Sequence, residues 1–135
     1  MAILSKGAIF AAAPATIEVE IPEWGGSVMV RAYSLIDRIA LMDTAIENDH
    51  AVGLYQRDQA LDEEDREGLA EVKPFDAAVL EIIHSCVDDT GARLFDLADH
   101  DRIRALSYTS LQSILIAIRQ INTVPDQAAL KKSSD

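Results

Sequence analysis

The sequence predicts a mostly helical α+β domain in which an N-terminal β-hairpin packs on three to four helices. Across residues 16–33, "TIEVEIPEWGGSVMVRAY", apolar side chains recur at every second position on either side of a Pro/Gly turn. That is the period of a half-buried strand pair. From Ser34 onward the apolar residues recur every three or four positions instead, the period of an amphipathic helix. Size fits one unit: 135 residues, 49% of them hydrophobic, suit a single domain with a real core. Aromatics make up only 5%, so Ile, Leu, Val and Ala must fill that core. The domain is placed at residues 1–124 and a polar C-terminal tail at 125–135, with no internal repeat and no second domain.

The first segment, "MAILSKGAIFAAAPA", reads as a short helix ending before Pro14. It resembles a secretory leader only faintly, because Lys6 follows an apolar start instead of preceding it. In the hairpin, Ile17, Val19 and Ile21 alternate with Glu18 and Glu20, and Val28, Val30 and Ala32 alternate with Met29, Arg31 and Tyr33. Pro22, Gly25 and Gly26 supply the turn. A two-residue loop at Gly25 and Gly26 sets Ile21 against Val30, whereas a four-residue loop over 23–26 shifts the partners. Either way the same residues share a face: Ile17, Val19, Ile21, Val28, Val30 and Ala32 inside, with Glu18, Glu20, Trp24, Met29, Arg31 and Tyr33 on the other side.

Ser34 with Asp37 three residues on resembles a capping box, opening a helix whose stripe is Leu35, Ile39, Met42 and Ile46 and which fades near Asn48. Residues 57–71, "RDQALDEEDREGLAE", read as a solvated helix or mobile connector interrupted by Gly68. Pro74 starts the next helix, with Phe75, Val79, Ile82, Ile83 and Cys86 on one face. A turn over 88–91, ending on Gly91, leads to a short helix from about Asp96. The last helix covers about 107–121, with Leu111, Ile114, Leu115, Ile118 and Ile121 on its apolar side. Pro125 stops it, and "DQAALKKSSD" is a loose tail.

Twelve basic against 23 acidic residues give a net charge of −11, which repels phosphate backbones and anionic membrane surfaces alike. No apolar run approaches the ~20 residues that span a bilayer. One cysteine cannot form an internal disulfide, which fits a reducing compartment. A nucleophilic Cys86 would need a base such as His84 or His100, but it sits on an apolar stripe, where free cysteine behaves as a small hydrophobe. The acid-rich stretch after it fails as a calcium loop: with Gly91 at the sixth position, Cys86 takes the first and Leu97 the twelfth. Three scattered histidines give no zinc spacing, and there is no glycine-rich phosphate loop. The residues therefore point to no catalytic, cofactor-binding or metal-binding site and to no cofactor. They suit a binding protein.

The single tryptophan, Trp24, sits at the hairpin turn and fits two roles. Its ring folds back to pin the turn, or it joins Met29, Arg31 and Tyr33 in a surface for subunit or client contact.

Three segments carry a family resemblance: "VEIPEWGGSVMVRAYS", "SCVDDTGARLFDLADHDRIRAL" and "LQSILIAIRQIN". In this order and at this chain length they resemble the tail assembly chaperones of long, non-contractile-tailed bacteriophages. In that family a Pro-x-Trp-Gly-Gly turn joins two valine-rich strands, an Asp-x-x-Gly-x-x-x-Phe segment follows, and an apolar helix closes the domain. The match touches residues 17–122. Residues 57–71 depart from the pattern and inherit no role. The resemblance implies a non-enzymatic factor that binds the tape measure protein, keeps it soluble while the tail tube polymerises, and self-associates into homo-oligomers. It implies a location in the host bacterial cytoplasm and absence from the mature virion. In many relatives a frameshifted longer form recruits the tail tube protein, and this chain would be the short form. Another acidic phage assembly or head–tail joining protein of the same architecture is the alternative, followed by a cysteine-dependent enzyme.

Overall fold

The computed structural model describes residues 2–123; Pro125 and the tail expected at 125–135 lie outside them. The elements run α1 (Lys6–Ala11), β1 (Thr16–Ile21), β2 (Gly26–Arg31), α2 (Leu35–Ala60), α3 (Ala77–Ser85), β3 (Cys86–Val87), α4 (His100–Arg104) and α5 (Tyr108–Asn122). The fold is α+β and mostly helical, as expected. Its antiparallel sheet has the order β1-β2-β3.

The hairpin keeps the expected faces but neither expected register. Val19 lies opposite Val28, Ile17 opposite Val30 and Ile21 opposite Gly26, so the loop is residues 22–25. Pro22 opens a 3-10 turn, its fixed φ suited to that position. Gly25, at φ +67, closes the turn with its N–H on the Pro22 carbonyl at 3.1 Å. Gly26 needs no special backbone and is already in β2. Because the register moves by an even number of residues, the alternation survives. Ile21 and Val30 are buried, and Val19 and Val28 half-buried. Ile17, at the open end, is 37% exposed.

β3 was not expected. α3 ends at Ser85, and Cys86 leaves it to pair with Val30 while Val87 pairs with Met29. Cys86 is thus a fully buried strand residue, not the last member of a helical stripe. Two residues are too few for any periodicity to register. α5 lies across β1 and β2, α3 packs on α5 and α2, and α4 packs on α3. The core between them joins Ile21 and Val30 to Val79, Leu80, Ile82, Ile83, Ile103, Ile114 and Ile118. Leu111, Leu115 and Ile121 border it, so the stripe of α5 faces inward as expected.

α2 departs most from expectation. It runs to Ala60 instead of fading near Asn48. Its expected core stripe faces outward: Leu35 is 75% exposed, Ile39 48%, Met42 52% and Ile46 61%. Leu41 and Ala45 pack on the core instead. The buried Asn48 is a latch, its amide donating to the Lys73 carbonyl (3.1 Å) and its oxygen accepting from Phe75 N–H (2.8 Å). Beyond it only Gly53 disfavours helix, and one glycine weakens a helix without ending it.

Residues 57–71 are neither a solvated helix throughout nor a connector without fixed contacts. After α2 the chain folds back over Asp58, which is 4% exposed and accepts N–H bonds from Glu67 (2.7 Å) and Leu69 (3.1 Å). Arg66 caps the helix end by donating to the carbonyls of Leu61 and Gln59. α3 starts at Ala77, three residues after Pro74, because Asp76 caps it by accepting from Ala78 N–H. The turn over 88–91 forms as expected, with Gly91 at φ +86 and Asp88 accepting from Thr90 and Ala92.

Candidate protein-binding surfaces

The four residues expected on one contact face have separate roles. Trp24 ends the 3-10 turn and is 38% exposed. Its neighbour Glu23 accepts a hydrogen bond from the Ser110 hydroxyl, tying the hairpin tip to the start of α5. That bond, with one from Ser107, holds the Glu23 carboxyl below its usual range. The turn is therefore pinned by the residue beside the tryptophan. Met29 is half-buried beside β3.

Arg31 is a joint. Its Nη1 donates to the Gly91 carbonyl at 2.8 Å, and its Nη2 lies 3.9 Å from Asp37. Arg93 reaches the same carboxylate at 3.5 Å. Asp37 also closes the expected capping box with Ser34, each accepting from the other's backbone N–H at 3.1 Å. Burial pushes the Asp37 pKa up, but Ser34, Arg31 and Arg93 outweigh it and hold the carboxyl below its usual range. The end of β2 and the start of α2, neighbours in sequence, thus meet the distant 88–93 turn at one acid.

Tyr33 turns away from the outer face. Its ring packs against the core, its hydroxyl donates to the Glu81 carbonyl (3.3 Å), and its N–H donates to Asn122 Oδ1 (2.9 Å). Burial raises its pKa, with the Ser85 hydroxyl opposing. Of the expected turn residues, Pro22, Gly25 and Gly91 do what the sequence asks of them, and Gly26 does not.

Burial pushes the Cys86 thiol up to about 12, so the thiolate needed of a nucleophile is strongly disfavoured. His84 Nδ1 is committed to the Leu80 carbonyl at 2.8 Å. His100 accepts from Asp76 N–H (2.8 Å) and faces Asp101 (3.0 Å), which makes it part of the α3 cap. Among the described residues, Asp62, Glu64 and Asp65 form the one acid grouping close enough to share a cation, and all three are exposed. A groove of about 680 Å3 runs between α2, α3 and the 93–98 segment, with Ile83 and Phe95 in its lining.

The surfaces that sequence reasoning missed are apolar. α2 carries two apolar faces, one packed through Leu41 and Ala45, the other open through Leu35, Ile39, Met42 and Ile46. α1 packs none of its residues in the core, leaving Ile9 53% and Phe10 77% exposed. The visible signal for the first was a second apolar series interleaved with the one read as core. Among the described residues no helix is long and apolar enough to cross a membrane. Compared with models of known protein families, curated proteins and solved structures, the chain matches none.

Proposed function

We propose that this chain is a non-enzymatic tail assembly chaperone of a long, non-contractile-tailed bacteriophage. It binds the tape measure protein in the host bacterial cytoplasm, keeps it soluble while the tail tube polymerises, and is absent from the finished virion. The observation that carries the reading is the pair of apolar helical elements, α1 and the outer face of α2, open on a chain of charge −11. Such faces suit an amphipathic client helix at α1 and a further copy of the chain at α2, and the surrounding acids keep a complex of many copies dispersed. The three segments that resemble the tail chaperones supply the identity of the client. A client of hundreds of residues, rising about 1.5 Å per residue where helical, far outruns one small domain, so the protein acts in many copies. A frameshifted longer form would carry the contact to the tail tube protein.

Co-expression with the tape measure protein tests this. The client should move from the insoluble to the soluble fraction and co-purify. The double variant Ile9→Asp/Phe10→Asp should abolish that rescue with the melting temperature unchanged, since neither side chain is buried. An insoluble client in the presence of folded wild-type chain overturns the reading.

A further inference from the structure

The outer stripe of α2 has the composition of a two-stranded coiled-coil seam, and we propose that it pairs in parallel and in register with the same stripe of a second copy. The inference rests on this face alone and holds whatever the client is. At 3.6 residues per turn, Leu35, Ile39, Met42 and Ile46 fall within an arc of roughly 60°, on the side of α2 away from Leu41 and Asn48. Their 4-3-4 spacing is the alternation of d and a positions: Leu35 and Met42 at d, Ile39 and Ile46 at a. Among parallel coiled coils, β-branched residues at a with Leu at d favour two strands; Ile39, Ile46 and Leu35 fit that rule, and Met42 fills the other d position.

The flanking charges select the same arrangement. Arg38 precedes Ile39 at a g position, and Asp43 follows Met42 at an e position. In a parallel pair each g side chain approaches the e side chain five residues further along the other helix. Arg38 therefore meets Asp43 of the second copy, and two-fold symmetry makes the contact twice. In an antiparallel pair g faces g and e faces e, so Arg38 would approach Ala45, and Asp43 would approach Ile36. Both charged residues are exposed, and neither forms an ion pair within its own chain among the described residues. Ile36, 79% exposed, borders the seam at the preceding e position and is covered by the same contact. The seam stops at Asp49, the next d position, where two identical acids would face one another.

Residues 35–46 span about 17 Å of helix, so the interface belongs to the small, reversible class. Its Kd should lie between about 10 µM and 1 mM.

Sedimentation equilibrium of the full chain from about 10 µM to 1 mM should show a monomer–dimer equilibrium. Arg38→Asp turns two attractions into two repulsions and should weaken it about tenfold, as should Asp43→Arg. The double variant Arg38→Asp/Asp43→Arg restores opposite charges and should return the affinity to near wild type. Leu35→Cys and Ile46→Cys should each cross-link to themselves on oxidation, the native Cys86 being buried. Wild type that stays monomeric at 1 mM, a double variant no better than the singles, or an equimolar mixture of the two cysteine variants that cross-links only between positions 35 and 46 overturns the proposal. Circular dichroism establishes that each variant is folded. No client is present in any of these measurements, so their failure and the failure of client rescue are separable.

Discussion

Truncating Ile118 and Ile39 to alanine removes the same three carbons from two helices, and the structure requires very different outcomes. Ile118 on α5 is 1% exposed and Ile39 on α2 is 48% exposed. At about 0.8 kcal/mol per buried methylene-sized group, Ile118→Ala forfeits about 2.4 kcal/mol of transfer free energy. The cavity left in a close-packed core adds to this, for about 3–4 kcal/mol in all. Ile39→Ala forfeits about half the transfer term and leaves no cavity, since its outer side is open, so its loss is about 1 kcal/mol. An unfolding entropy of about 2.1 cal/mol/K per residue gives about 0.25 kcal/mol/K for a domain of roughly 120 residues. The expected falls in Tm are therefore about 12–16 °C for Ile118→Ala and about 4 °C for Ile39→Ala.

The assay is thermal denaturation followed by circular dichroism at about 0.5 µM in a long-path cell, well below the range in which copies pair. Leu41→Ala supplies the internal control, because Leu41 lies on the inward face of the same helix and packs on the core. Its loss should exceed that of Ile39→Ala by at least 1 kcal/mol. Equal losses for Ile39 and Ile118, or a smaller loss for Leu41 than for Ile39, would refute the rotation of α2. The open stripe would then be core, and the pairing built on it would go as well.

Trp24 is the only tryptophan and is 38% exposed at the hairpin turn, so emission from dilute monomer should be red-shifted. Emission already blue in dilute monomer contradicts the exposed turn. Asp37, Asp58, Asp88 and Asp101 all have folded-state pKa values held below the ordinary one, so each stabilises the fold above about pH 4 and loses that contribution as pH falls through its lowered value. Tm should accordingly fall on acidification from about pH 5 downward, and Asp58→Asn should flatten part of that fall while speeding amide exchange at Glu67 and Leu69; a Tm flat down to pH 3 contradicts the assignment.

What the sequence made legible and what it hid divide along a physical line. The hairpin faces were legible because strand parity survives any even shift of register, so misjudging which residues form the loop left Ile21 and Val30 correctly inside. The register itself depended on Pro22 seeding a 3-10 turn, a choice among turn types that several sequences satisfy equally well. The stripe of α5 was legible because that helix has one apolar side and lies across the sheet. α2 was not, because apolar residues lie on both its faces and periodicity gives the same signal for a face that packs and a face that stays open. What separates the two is which face α3 and the Asn48 latch can engage, and those contacts reach to Lys73 and Phe75. Distance hid the site residues in the same way. Arg31 and Tyr33 were correctly placed near the end of the second strand, but their partners at Gly91 and Glu81 lie 60 and 48 residues away. Such long-range bonds fix the side chain's direction and take up part of its bonding capacity. The binding surface of this protein is therefore best sought in what the fold leaves unclaimed, and that remainder, the outer face of α2 and the short α1, can be identified only after the core has been assembled.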